Sequence, residues 1–124
     1  MSGSHRHLIL IGPPGAGKSV VGRLVASDLG ARLTDLDAAI QRNAGLSIAR
    51  IFAEQGEEAF RTLEREAMTR ALDGAPQVIV PGGGWAAQPG NLESATGALV
   101  VHLQTSPEAA GDRLIRSRTR RPLL

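Results

Sequence analysis

Lys18 is the only lysine in this chain of 124 residues, and it stands in the run Gly12-Pro13-Pro14-Gly15-Ala16-Gly17-Lys18-Ser19. The run matches G-x-x-x-x-G-K-[ST] in full, with an apolar strand-like stretch before it and a helical pattern after it. The glycines allow backbone geometry and close approach that side chains would obstruct. Successive N–H groups can then turn inward as an anion nest, reinforced by the start of the following helix. The Lys18 ammonium suits the β- and γ-phosphates of a nucleoside triphosphate, and the Ser19 hydroxyl suits Mg²⁺. The nucleotide-binding stretch is therefore read as Gly12 to Val20, with Ser19 as a metal ligand; a Gly-Pro turn that binds nothing is the alternative.

Phosphate loops serve ATPases, GTPases and kinases alike, so the reaction must come from other residues. Three features fall just beyond the expected C-terminal ends of strands, where a doubly wound sheet puts its ligands. Asp35-Leu36-Asp37 places two carboxylates on one side if the strand persists. One of them can then hold Mg²⁺ through water while the other accepts a hydroxyl proton. The alternative is a helix-capping Asp37 beside a solvated Asp35. Phe60-Arg61-Thr62-Leu63-Glu64 offers a planar guanidinium beside an aromatic ring, suited to a carboxylate on an apolar ring, with Glu64 one turn on to hold it. An exposed ion-pair ladder starting at Glu57 is the competing reading. Gly82-Gly83-Gly84 exposes backbone N–H groups to a ligand, or is a flexible turn. Trp85 either walls that pocket or packs in the core.

The elements that must position these residues alternate in type. Short apolar runs at 7–11, 32–37, 77–80 and 98–103 read as strands. Val20, Val21, Leu24, Val25 and Leu29 recur at helical spacing and end at Gly30. Asp37 is a candidate cap for a helix over Ala38 to Arg42, ended by Gly45, and Ser47 for a helix from Ile48 to Gln55, broken by Gly56. A longer helix is expected from Glu57 to about Leu72, with Asp73-Gly74 as its stop. Thr105-Ser106-Pro107-Glu108 reads as one more helix start. Strands alternating with helices predict an α/β layered fold of the P-loop NTPase type, with a mainly parallel sheet.

Composition narrows the class. The hydrophobic fraction is 42%, the charged fraction 21%, and cysteine is absent, so neither disulfides nor a cysteine–zinc site contributes. No apolar run is long enough to span a bilayer, and no membrane role is expected. A net charge of +2 is poor support for nucleic-acid binding. Arg113, Arg116, Arg118 and Arg120 read as a solvated helix face, and His5 and His7 as part of an N-terminal arm rather than a metal site. A single domain over 1–124, in a cytoplasmic protein, is the expectation.

Taken together, these motifs resemble the shikimate kinase family. The order is Gly12 to Ser19, Asp35-x-Asp37, Ser47-Ile48-Ala49-x-Ile51-Phe52, Gly56-Glu57, Phe60-Arg61-x-x-Glu64, Gly82-Gly83-Gly84 and Arg121-Pro122-Leu123-Leu124. The resemblance implies transfer of the ATP γ-phosphoryl group to the 3-hydroxyl of shikimate, with Mg²⁺. By position, Asp37 would bind the shikimate hydroxyls and act as catalytic base, and Asp35 would help place the metal. Arg61 would clamp the carboxylate, while Gly83 and Gly84, after Gly82, contact substrate through their backbone. Lys18 would stabilise transferring charge, and Arg121 matches the lid arginine that closes over the nucleotide.

Trp85 departs from the smaller or aliphatic residue usual at its position. The chain also stops where the family's lid begins, before a second carboxylate-binding arginine, a fifth strand and an adenine-contacting loop. That implies a C-terminally incomplete kinase domain whose fourth strand is an exposed edge open to self-association, in a family of monomers. Another small-molecule kinase, acting on gluconate or a nucleotide, and a non-catalytic nucleotide- or shikimate-binding module remain the alternatives.

Overall fold

In the computed structural model, residues 6–13 and 17–103 are described. The readings placed on Pro14, Gly15 and Ala16, on the helix expected after Thr105, and on Arg121 lie outside those residues. Four strands form one wholly parallel sheet: β1 (Leu8–Ile11), β2 (Leu33–Asp35), β3 (Val78–Val80) and β4 (Leu99–His102), in the order β2-β3-β1-β4. Five helices connect them: α1 (Lys18–Leu29), α2 (Leu36–Ala44), α3 (Ile48–Gln55), α4 (Glu57–Asp73) and the single turn α5 (Asn91–Ser94).

The central strands β1 and β3 are short, apolar and wholly buried because both sheet faces are covered there. Along β1 and β3, alternation assigns Leu8, Leu10, Val78 and Val80 to the α1 side, where they pack with Val21, Val25 and Ala26. Ile9, Ile11 and Ile79 fall on the other side, with Leu36, Ile40, Ile51, Phe60, Met68 and Trp85. This is a three-layer α/β sandwich.

The helix boundaries follow their punctuation. Gly30 and Gly45 close α1 and α2 in the left-handed conformation, at φ 65° and 71°. Ser47 Oγ accepts from Arg50 N at 3.1 Å and starts α3, and Gly56 separates α3 from α4.

Two expectations are corrected. The second strand is only Leu33–Asp35, and α2 begins at Leu36. Asp35, not Asp37, is its cap, accepting from Ala38 N at 3.3 Å. Full burial of the Leu36 side chain draws the chain into the core at that point, which turns the backbone one residue after the ladder ends. The inner face of α1 is also narrower than the apolar spacing implies. Val21, Gly22, Val25 and Ala26 are buried, whereas Val20, Leu24 and Leu29 are exposed. Gly22 explains the close approach: a Cβ there would lie 2.9 Å from Val80 Cγ2. The turn α5, unmarked by any apolar period, was not anticipated.

Candidate active site

The C-terminal ends of β1, β2 and β3 open on one side of the sheet, and each delivers part of the site. After β1, Gly12 adopts φ 155°, and a Cβ at that position would meet Leu103 O at 2.5 Å. Only glycine lets the chain leave β1 so close to the end of β4. Gly17, at φ 87°, leads into α1 as its cap residue. Lys18 then folds back, its Nζ donating to Gly12 O at 2.8 Å and to Pro13 O at 3.2 Å. Burial pushes the Lys18 ammonium below its ordinary value, while Asp37 and Asp35 pull the other way. Ser19 is exposed in the first turn of α1, as is Val20.

After β2, the two aspartates separate in role. The Asp35 carboxylate is engaged at the α2 cap. Asp37, in the first turn of α2, is half-buried, and its Oδ1 is buried without a hydrogen-bond partner. Burial pushes its pKa up, Asp35 adds to that, and Lys18 and Arg61 oppose it. A buried carboxylate oxygen with no donor is a strained arrangement unless a ligand supplies one.

After β3, Gly82-Gly83-Gly84 runs between that carboxylate and the guanidinium of α4. A Cβ on Gly82 would sit 3.0 Å from Asp37 Oδ1, and one on Gly84 would sit 2.8 Å from Arg61 Nη2. Absent side chains thus let one stretch of main chain touch both charged groups.

Arg61 itself is mostly buried and tightly held. Its Nη1 donates to Glu64 Oε1 at 3.0 Å, its Nε lies 3.6 Å from Glu57 Oε2, and its guanidinium carbon is 5.3 Å from the Phe60 ring centroid. Both readings of this helix are therefore realised at one residue: Glu57 is the exposed rung of a ladder, and Glu64 is the buried anchor. Burial raises the Glu64 pKa despite the bond from Arg61, and Asp37 raises it further. The positively charged fork, the unpartnered carboxylate and the glycine backbone lie together, and Lys18 stands close enough to Asp37 to act on its charge.

Trp85 is 1% exposed and belongs to the core cluster. It packs rather than walling the pocket. An open cleft of about 630 Å³ adjoins Arg61 on its outer side and includes Arg65 and Gln88. Sequence reasoning passed over both, because neither belongs to a motif. Among the described residues, no helix is long and apolar enough to cross a membrane.

Comparison with known proteins places this arrangement. The family model described as shikimate kinase matches residues 14–124. A shikimate kinase of Thermobifida fusca (strain YX) is 46% identical over 116 residues, covering 94% of this chain and 67% of that protein. One of Mycobacterium ulcerans (strain Agy99) is equally identical over the same length, with 62% of it covered. Among solved structures, shikimate kinase from Acinetobacter baumannii in complex with shikimate superposes with a TM-score of 0.80 at 36% identity, covering 94% of this chain and 66% of that one. The chain thus spans roughly two-thirds of the length of these relatives. Its motifs, its sheet order and these matches agree: the chain belongs to the shikimate kinase family.

Proposed function

We infer that the protein transfers the γ-phosphoryl group of ATP to the 3-hydroxyl of shikimate. The observation that carries this reading is the approach of Gly82-Gly83-Gly84 to Asp37 on one side and to Arg61 on the other. An acceptor with a carboxylate at one end and a ring hydroxyl at the other suits a cation and a base on either side of one glycine stretch. The A. baumannii relative, solved with shikimate, supports the choice.

The chemistry assigned to each residue follows from its surroundings. Arg61, oriented by Glu64, would take the acceptor carboxylate through its planar fork. The amides of Gly83 and Gly84 would contact the ring. Asp37 Oδ1, which has no protein donor, would accept the hydroxyl proton and align that oxygen for in-line attack. Lys18 would leave the Gly12 and Pro13 carbonyls to meet the transferring phosphoryl oxygens, with charge stabilisation as its contribution. Arg121 is assigned the closing role over the nucleotide.

The oxygen donors Ser19 and Asp35 fit magnesium, a hard cation that commonly keeps several waters and shares substrate phosphates. When bound, the ion would neutralise charge on the β- and γ-phosphates. A cytoplasmic location and self-association along the outer edge of β4 complete the reading.

Coupled measurement of ADP release tests it. Release should depend on shikimate and not on gluconate or a nucleoside monophosphate. Binding of ATP by calorimetry with no turnover at saturating shikimate would instead favour a non-catalytic module.

A further inference from the structure

Gly82-Gly83-Gly84 has no side chains to anchor it, yet its main chain lies within contact distance of Asp37 and Arg61. Three successive glycines have the greatest backbone freedom of any tripeptide. Gly82 O accepts from Trp85 N at 3.2 Å, and Gly84 O accepts from Ala87 N at 3.3 Å and Gln88 Nε2 at 3.5 Å, so their placement is set by that turn and by the two ends. One end is the buried Pro81 after β3, and the other is Trp85.

Trp85 is fixed twice. Its side chain shares the core cluster with Phe60, Ala67 and Met68 of α4, the helix that presents Arg61 and Glu64. Its carbonyl receives Gln88 N at 3.2 Å and Asn91 Nδ2 at 2.9 Å. Asn91 is 3% exposed and, with Glu64, one of the two buried polar or charged residues among those described. It opens α5 but does not cap it. Gly90 is the cap residue, at φ 84° and with no side-chain bond. A buried amide that neither caps a helix nor faces solvent is costly unless bonded. Its side-chain amide donates to the carbonyl of the residue directly after the triple glycine.

We propose that Asn91 is a positioning residue for the acceptor site: its amide pins the Trp85 carbonyl and so holds the Gly82–Gly84 main chain between Asp37 and Arg61. The identity of the acceptor rests on the shikimate reading above; the brace itself does not. Loss of the donor leaves the Trp85 carbonyl with Gln88 N alone, loosening one end of the glycine stretch and disturbing the acceptor side. The nucleotide side is built on β1 and α1 and stays as it was.

Asn91→Leu keeps the branched heavy-atom skeleton, though with greater bulk, and removes the donor. The KM for shikimate should rise about tenfold while the KM for ATP stays within about twofold, the pattern of a misplaced acceptor rather than a smaller active fraction. Asn91→Ser, which keeps a shorter donor, should recover part of the loss. Amide hydrogen exchange reads the brace without substrate: the Trp85 and Ala87 amides, which donate to Gly82 O and Gly84 O, should exchange faster in Asn91→Leu, with β1 unchanged. That arm remains decisive if the enzyme prefers another acceptor, which would sink the shikimate assignment alone. Unchanged loop exchange, or parallel rises in both KM values with faster exchange across the whole sheet, overturns the brace. Should Asn91→Leu fail to fold, Asn91→Ala, which has no side-chain donor, carries the same two measurements, and parental values in both then overturn it.

Discussion

Asp37 shows how one residue can be both a weakness of the fold and the proposed centre of its chemistry. Its ionised form is disfavoured mainly by burial. A carboxyl whose folded pKa lies above its unfolded value of 3.8 contributes stability below that value. The contribution is lost as pH rises through the folded pKa. Asp37→Asn should therefore raise Tm by a few degrees at neutral pH, with the gain vanishing in acid. The same change should lower kcat by about 10²–10⁴-fold, because no base remains for the acceptor hydroxyl. In the parent enzyme, kcat should fall toward acid with a midpoint above the ordinary carboxylate range. A midpoint at or below that range would remove Asp37 as the base. Arg61 makes a complementary case. Arg61→Lys keeps the charge but not the fork, so the KM for shikimate should rise almost as far as in Arg61→Ala, by about 10–100-fold.

At the level of elements, the glycines and caps permit sharper comparisons. Gly84→Ala drives a methyl group into the Arg61 guanidinium, 2.8 Å away, whereas Gly74→Ala meets only Ala71 O at 3.8 Å. The first should weaken shikimate binding about tenfold with ATP binding intact; the second should leave both unchanged. Ser47→Ala should cost about 1 kcal/mol in urea unfolding through loss of the α3 cap. Elements with strong punctuation were legible in sequence. Ser47 and Gly56 bound α3, and Gly74 ends α4, close to the positions their residue types imply. The aspartate pair was harder. Local propensity allowed either residue to cap, and tertiary burial of Leu36 decided for Asp35. α5 is a single turn held by a buried amide to a carbonyl six residues earlier, and no apolar period marks such a bond.

For the molecule as a whole, the strand order β2-β3-β1-β4 brings together site residues that are far apart in the chain. The fold class and the motif residues were readable because strands alternate with helices and the motifs keep their order. The order of strands was not, since runs of three or four apolar residues carry no pairing code. Among the described residues, β4 is hydrogen-bonded to β1 alone, and its Leu99 is 41% exposed. Sedimentation velocity should show concentration-dependent association that Leu99→Lys suppresses; a monomer at all concentrations would remove β4 as a contact.

Trp85 has a practical consequence for all of these measurements. It is the one tryptophan in a chain with no tyrosine, and it is sealed in the core beside the triple glycine. The intrinsic fluorescence of the folded protein therefore comes from a single indole adjoining the acceptor site. Titrations with shikimate and with nucleotide can be followed without any label. A change in emission on adding either compound would report the surroundings of one residue, with no second emitter to confuse it.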